Sequence, residues 1–236
     1  MSLILCIETA TSVCSVALIK NGFTIAHKSV NDGYAHSERL AVFIQELMAS
    51  VGMVLNDLDA VAVSGGPGSY TGLRIGVSTA KGISWSLDKP LIAIPTLKSM
   101  AAGAAAKLKE TGELDGSLLC PLIDARRMEV YSAFFDASLN EVKPVAAIIL
   151  SESSFVDTLD QQTVWFFGDG MSKSKSFLAS HPNARFLDEY SISACDLQQP
   201  VEHAFEEGRF EHIGLYEPFY FKEFVAGKGS VAPTNS

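Results

Sequence analysis

The sequence is short of basic residues relative to acidic ones. Its 236 residues include 18 lysines and arginines against 27 aspartates and glutamates, which gives a formal net charge of −9 at pH 7. Proteins that bind nucleic acid unaided gain affinity by neutralising phosphates with Lys and Arg, so this balance argues against independent binding of RNA or DNA. A local basic patch formed by Arg126, Arg127 and Lys143 stays open as an alternative.

Long apolar runs are also missing. The first apolar run, residues 3–7, is ended by Glu8 and has neither the basic flank nor the length of a secretory signal. No other run approaches the roughly 18 continuous apolar residues that a membrane-spanning helix needs. We therefore expect a soluble, cytoplasmic protein without membrane contact. A hydrophobic content of 47 % suffices for the cores of one large domain or two small ones.

Closely spaced cysteines and histidines, the usual sign of a metal or redox site, do not occur. The four cysteines are scattered, and three of them lie in apolar runs where a reduced thiol packs as a small hydrophobe. None of the histidines lies in a recognisable nucleophile motif, and we expect a capping or contact role for His36 at a helix start. The sequence thus predicts no bound metal and no catalytic residue. The four cysteines are Cys6, Cys14, Cys120 and Cys195, and the five histidines are His27, His36, His181, His203 and His212.

The pattern of the chain predicts an α/β protein of two similar lobes. Each half opens with a meander of strands and continues with alternating helices and strands. The first half is predicted to contain strands at 3–7, 13–19, 23–30, 60–64 and 91–94 and helices at 37–51 and 71–87. The second half is predicted to contain strands at 118–123, 129–135, 146–150 and 164–167 and helices at 152–159 and 173–180.

The boundary between the lobes is expected near an alanine-rich stretch at 101–106 and a polar segment at 107–116. This division gives an N-terminal lobe of residues 1–105 and a C-terminal lobe of residues 106–226. The pattern becomes irregular after Cys195, and residues 227–236 have the composition of a disordered tail.

Two loops of the N-terminal half have features of phosphate-binding turns. A Thr/Ser-rich turn follows the first strand, and a glycine-rich loop at residues 64–69 leads from a strand into a helix whose free amides suit an anion. The candidate nucleotide contacts are Thr9, Thr11, Ser12, Gly66 and Gly68. Ordinary turn chemistry and a strained junction between strand and helix explain the same residues without a ligand.

Glu8 and Asp124 stand at strand ends, where a kinase or ATPase would place its magnesium-binding carboxylates. The first turn lacks the glycine and lysine that such enzymes use, and no Asp-x-Gly-Gly turn is found. We therefore favour the interpretation that neighbouring turn amides bind both carboxylates.

The two helices of the N-terminal half carry features of contact surfaces. The helix at 71–87 has small residues at intervals of four, which let another helix approach closely, either within the chain or between chains. The helix at 37–51 has a broad apolar stripe that such a contact would cover, although packing within the lobe is the alternative. The candidate interface residues are His36, Leu40, Phe43, Ile44, Leu47, Gly72, Gly76 and Ala80.

Four segments resemble the TsaB (YeaZ) family of tRNA threonylcarbamoyladenosine biosynthesis proteins. They read ETATSVCSVAL from Glu8, SGGPGSYTGLRIGVSTAKGI from Ser64, IDARRMEVYSAFF from Ile123 and PFYFKEF from Pro218. The glycine loop alone also fits the paralogous catalytic family, TsaD. The TsaD pattern places a His-x-x-x-His pair after the second helix, whereas this chain has no histidine between residues 94 and 105.

The resemblance implies a two-lobed fold of the actin/Hsp70/sugar-kinase (ASKHA) type, with a mixed sheet and helices in each lobe. It also implies a non-catalytic subunit that pairs with a TsaD-like catalytic subunit and a TsaE-like ATPase, meets tRNA only through the complex, and forms a homodimer when alone. No cofactor is implied beyond ATP or ADP at the partner interface. The rival hypotheses are an ATP-dependent phosphotransferase or ATPase and a glycoprotease-like metalloenzyme of the same fold.

Overall fold

The computed structural model of the protein describes residues 2–31 and 36–222. The first sheet has five strands in the order β3-β2-β1-β4-β5. Strands β1, β2 and β3 pair antiparallel as a meander, whereas β4 and β5 continue the sheet in parallel. Their bounds are β1 Leu3–Glu8, β2 Cys14–Lys20, β3 Phe23–Val30, β4 Ala60–Ser64 and β5 Leu91–Ile94.

The second sheet repeats this arrangement, in the order β10-β9-β6-β7-β8. It again combines an antiparallel meander with two parallel strands. The repeat confirms the predicted two-lobed fold with a mixed sheet in each lobe. The bounds are β6 Leu118–Asp124, β7 Glu129–Phe135, β8 Glu141–Ile149, β9 Val164–Phe167 and β10 Ala184–Phe186.

Each sheet is covered on its outer face by the helices that connect its own strands. Helices α1 (His36–Ser50) and α2 (Tyr70–Leu87) close an apolar core over the first sheet. Helices α4 (Val156–Leu159) and α5 (Met171–Leu178) cover the second sheet in the same way. The lobes thus have matching outer layers.

The last helix of each half crosses to the other lobe. Helix α3 (Thr96–Thr111) follows the first sheet but packs against β6 and β7 of the second. A 3₁₀ turn (Ala194–Leu197) and helix α6 (Gln198–Glu206) follow the second sheet but pack against the first. The two crossing segments also contact each other, so each lobe is packed against a helix that follows the other.

These crossing helices correct two expectations. The alanine-rich stretch and the first half of the polar segment form one helix, and the predicted boundary at residues 105 and 106 falls inside it. The first part of the segment after Cys195 is helical, as α6 over Gln198–Glu206, whereas the residues from there to Tyr216 are irregular as expected. Ala101, Ala102, Ala104 and Ala105 are all buried because α3 is enclosed on several sides, and such a helix shows no single apolar stripe.

Residues 211–222, here called the C-terminal strap, run back over the first sheet towards the second. The Glu211 amide donates to the Leu91 carbonyl (2.8 Å), and the Phe219 amide donates to the Gly65 carbonyl (2.7 Å). At the end of the strap Lys222 pairs with Glu129 of β7. The expected tail at residues 227–236 lies outside the described residues. Within the described ranges, no helix is long and apolar enough to cross a bilayer.

Candidate functional site

The Thr/Ser-rich turn between β1 and β2 uses its hydroxyls largely within the chain. The Thr9 hydroxyl is buried and donates to the Gly72 carbonyl (2.8 Å). Thr11 Oγ1 accepts from the Val13 amide (3.2 Å), and the Ser12 hydroxyl donates to Asn31 (2.9 Å). Thr9 therefore has a packing role, whereas Ser12 is exposed.

The glycine loop packs against that first turn. A Cβ on Gly68 would lie 2.3 Å from the Ala10 carbonyl oxygen, and the Ser69 amide donates to the same oxygen (2.6 Å). Gly66 has a positive φ of 106°, and a Cβ there would lie 2.4 Å from the Phe219 carbonyl oxygen of the strap. The Gly66 amide donates to the Thr96 hydroxyl (3.0 Å). The glycines therefore permit close contacts between backbone segments of this chain.

A cavity of about 230 Å³ lies between the lobes. Thr11 and Ser12 reach it from the first turn, and Asp169 reaches it from the turn after β9. Sequence reasoning missed Asp169, although the Gly-Asp-Gly at 168–170 after a predicted strand is a turn signal. The lining residues are Thr11, Ser12, Val13, Asn31, Met100, Gly168, Asp169, Tyr190, Ser191 and Ile192.

Glu8, one of the two candidate magnesium ligands, is fully buried at the end of β1. The Ala10 amide donates to one carboxylate oxygen (2.6 Å), and the Ser64 hydroxyl donates to the other. Burial raises the pKa of the Glu8 carboxyl to about 7, although both hydrogen bonds act in the opposite direction. The expected binding by a turn amide is confirmed here, and the carboxylate faces the interior.

Asp124, the other candidate, lies at the matching position of the second lobe. Its Oδ1 accepts from the Arg126 amide (2.6 Å) and from Lys173 Nζ (2.8 Å). Asp169 accepts from the Asp124 amide (2.9 Å), and burial raises the pKa of Asp169. The expected turn amide is again confirmed, together with a lysine that sequence reasoning did not assign to this turn.

Among residues 2–31 and 36–222, no group of three or more His, Cys, Asp or Glu side chains is placed to hold a metal ion. None of the four cysteines, all of which lie within the described ranges, forms a disulfide, and Cys6, Cys14 and Cys120 are buried. Burial raises the pKa of the Cys120 thiol to about 12, as expected for a thiol that packs as a hydrophobe.

The apolar stripe of α1 is used within the lobe. Leu40, Ile44 and Leu47 are buried over the first sheet, and Phe43 is half-buried beside them. His36 is also buried, and its Nε2 lies 2.9 Å from the Thr11 carbonyl oxygen. The broad stripe therefore closes the core of this chain, and the expectation that it faces a partner is wrong for its buried members.

The small ridge of α2 likewise faces the chain's own first turn. A Cβ on Gly72 would lie 2.0 Å from the Thr9 carbonyl oxygen, and one on Gly76 would lie 2.2 Å from Thr9 Oγ1. Ala80 continues the ridge and is fully buried. We therefore correct the predicted interface, because these three residues are enclosed within the lobe and cannot meet a partner helix.

Helix α2 carries a second small ridge, which points to solvent. Ser78, Gly82 and Ser86 are spaced by four residues and are all exposed. Within the described ranges, no atom outside the backbone of α2 lies within 4 Å of a Cβ built on Gly82. On the same face of α2 as this outer ridge, Trp85 is 77 % exposed. An exposed tryptophan beside small residues is typical of a protein contact surface, where aromatic anchors dominate the binding energy.

Comparison with known proteins relates the chain to threonylcarbamoyladenosine biosynthesis proteins. The sequence profile of the TsaD family, described as tRNA N6-adenosine threonylcarbamoyltransferase, matches residues 32–191. The TsaB protein of Bacillus subtilis is 32 % identical over 178 residues, 74 % of each chain. That of Escherichia coli is 38 % identical over 139 residues, which span 59 % of this chain but only 57 % of its own length.

Among solved structures, YeaZ from Pseudomonas aeruginosa is similar to this chain over the whole length of YeaZ. The TM-score is 0.77 at 25 % sequence identity, with 94 % of this chain and 100 % of YeaZ covered.

Proposed function

The chain belongs to the TsaB (YeaZ) family, and from that premise we propose that it is a non-catalytic subunit of a complex that modifies tRNA. In this proposal the complex transfers threonylcarbamoyl to the adenosine next to the anticodon, in tRNAs that read codons starting with A. The chain pairs with a TsaD-like catalytic subunit and cooperates with a TsaE-like ATPase. It forms a homodimer when the catalytic subunit is absent.

The observation that carries the proposal is the outer ridge of α2 with its exposed tryptophan. A surface of Ser78, Gly82 and Ser86 lets the backbone of a facing helix approach closely, because none of these side chains projects far. Trp85 supplies a large apolar anchor at the same place, and it is exposed in the isolated chain. A paralogue of the same fold has helices at the corresponding position, so a packing of four helices fits this surface.

A non-catalytic role is supported by the state of the two candidate carboxylates. Glu8 is enclosed and bound by Ala10 and Ser64, and Asp124 is bound by Lys173 and a turn amide. Glu8 is fully buried with both carboxylate oxygens hydrogen-bonded, so it could bind a magnesium ion only by breaking these bonds, and Asp124 already pairs with the Lys173 cation. In the proposal, chemistry therefore belongs to the catalytic partner.

The test is complex formation with a TsaD-like partner, measured by size-exclusion chromatography with light scattering and by titration. We expect the wild-type chain to form a stable heterodimer. Gly82→Leu should weaken the heterodimer about tenfold or more, because the new side chain stands where the facing helix must approach. Its melting temperature should not fall, since the space around Gly82 is open.

Ala106→Leu is the matched control, because Ala106 is an exposed small residue on a helix outside this surface. It should leave the affinity unchanged. A wild-type chain that forms no heterodimer, or a Gly82→Leu variant that binds as tightly as Ala106→Leu, would contradict the proposal.

A further inference from the structure

The hairpin between β6 and β7 ends in two arginines with an unusual backbone. Arg126 and Arg127 both have positive φ values, 68° and 48°. Apart from glycine, which has no Cβ, and to a lesser degree Asn and Asp, residues rarely adopt this left-handed conformation, because the Cβ approaches the following carbonyl oxygen. Two such residues in succession, neither of them glycine or asparagine, mark a backbone held under strain, which is a feature that clusters at functional sites.

A polar network holds this turn in place. Asp124 Oδ1 binds both the Arg126 amide (2.6 Å) and Lys173 Nζ (2.8 Å). The same lysine donates to the Arg127 carbonyl oxygen (3.0 Å), and only 15 % of its side chain is exposed. Asp169 fixes the start of the turn from the second side through the Asp124 amide (2.9 Å). The strained backbone is therefore braced at three points.

The network binds the backbone of the turn and leaves the guanidinium groups outside. Both arginines are exposed, and neither side chain has a hydrogen bond or ion pair within the described ranges. The acidic residues nearby have other cations, since Asp124 pairs with Lys173 and Glu129 pairs with Lys222. Among the described residues, two positive charges without an ion-pair partner thus stand together, on a chain whose net charge is −9.

Lys143, which the sequence placed with these arginines, belongs elsewhere. Its Nζ lies 2.5 Å from Thr158 Oγ1 and 5.3 Å from the centre of the Phe134 ring, in the opposite half of the β7–β8 pair. The exposed basic surface is therefore the turn itself, flanked by the paired lysines Lys173 and Lys222.

We propose that the Arg126–Arg127 turn binds the phosphate backbone of the RNA held by the assembled complex. The inference rests on the proposed function, which supplies the RNA, and adds the surface of this chain that touches it. Exposed guanidinium groups without a partner match phosphate oxygens, with which they form charge-assisted hydrogen bonds. A braced backbone keeps both groups in position before binding, so less conformational freedom is lost when the phosphates bind.

The experiment compares the wild type with a double variant that carries both Arg126→Asn and Arg127→Gly. Both new residues tolerate positive φ, so the turn should survive and the melting temperature should stay equal or rise. The affinity of the TsaD-containing complex for a full-length tRNA transcript is measured from 50 to 200 mM salt. We expect about tenfold weaker binding at moderate salt, and a plot of log K against log salt whose slope is reduced by between 1 and 2.

The control is a double variant that carries both Lys109→Asn and Arg185→Asn. It also removes two positive charges, but from exposed positions away from the turn. It should bind RNA nearly as well as the wild type. Equal affinity and slope in the two double variants would overturn the inference. Loss of the heterodimer in the turn variant alone would also overturn it, because the turn would then contact a protein. Complex formation by the wild-type chain, measured first, tests the proposed function separately.

Discussion

We predict that replacing Gly76 with alanine destabilises the protein, although alanine is the better helix former. The added Cβ would lie 2.2 Å from Thr9 Oγ1 and 3.4 Å from Thr9 Cβ. Thr9 cannot move aside freely, because it is buried and branched at Cβ and its hydroxyl donates to the Gly72 carbonyl (2.8 Å). Either the helix shifts away from the first turn, or Thr9 rotates and loses its hydrogen bond.

The expected size of the effect follows from these contacts. Overpacking a dense core costs about 1 to 3 kcal/mol, and loss of a buried hydrogen bond adds roughly 1 kcal/mol. The gain in helix propensity offsets about 1 kcal/mol of this. The net loss of unfolding free energy is therefore on the order of 2 kcal/mol, which lowers the melting temperature of a domain of this size by roughly 4 to 8 °C.

Gly82→Ala is the matched control, because Gly82 lies in the same helix and a new Cβ there meets no described atom outside that helix's backbone within 4 Å. It should raise the unfolding free energy by about 0.5 to 1 kcal/mol through helix propensity alone. Urea denaturation and calorimetry of both variants would measure the two effects. Removing the hydroxyl with Thr9→Ala should make Gly76→Ala less costly, as a double-mutant cycle reveals. If Gly76→Ala stabilised the protein as Gly82→Ala does, the packing described for α2 would be wrong.

Three further predictions concern charge and chemistry. Burial raises the pKa of Glu8 from 4.5 to about 7, so between these values the folded protein retains a proton that the unfolded chain releases. The unfolding free energy should therefore fall as the pH rises through this range. Denaturation curves measured over a pH series should show a weaker pH dependence of the unfolding free energy in Glu8→Gln. Protein purified without a tag should contain no stoichiometric zinc or iron by elemental analysis, and one tightly held ion per chain would refute this. ATP hydrolysis by the chain alone should stay far below about 1 per second, and faster turnover that Asp124→Asn abolishes would contradict the assignment of Asp124 to the turn.

The first half of the fold could be predicted because its signals are local. The hairpin after β2 is marked by Asn21 and Gly22, which both have positive φ in the structure, and alternating helices and strands follow with clear periods. In the second half, predicted helix 152–159 shortens to Val156–Leu159, and strand β10 (Ala184–Phe186) was missed. Such short elements depend on their sheet and helix neighbours more than on their own sequence.

The crossing helices could not be predicted from local pattern, because their environment is made by distant parts of the chain. Helix α6 buries Val201 and Ala204 against strands of the first sheet, which lie far earlier in the chain, and its polar residues dominate the sequence. The Ser15 hydroxyl accepts from the Ala194 amide (3.1 Å), so the sheet supplies partners that no local rule includes. Asp196 likewise packs against a distant residue, Gly103 of α3, that no local pattern indicates.

The three interface residues predicted on α2, Gly72, Gly76 and Ala80, are enclosed within the lobe for a related reason. Helix α2 carries two small ridges, Gly72–Gly76–Ala80 and Ser78–Gly82–Ser86, which are offset by two residues and thus lie on nearly opposite faces. Spacing alone cannot decide which ridge meets the protein's own core. The ridge of Gly72, Gly76 and Ala80 faces the core because Thr9 and its turn pack into the space left by its missing side chains. A helix with small residues on both faces can pack closely on its own lobe and still present a close-approach surface to a second protein, and Trp85 lies on that second face.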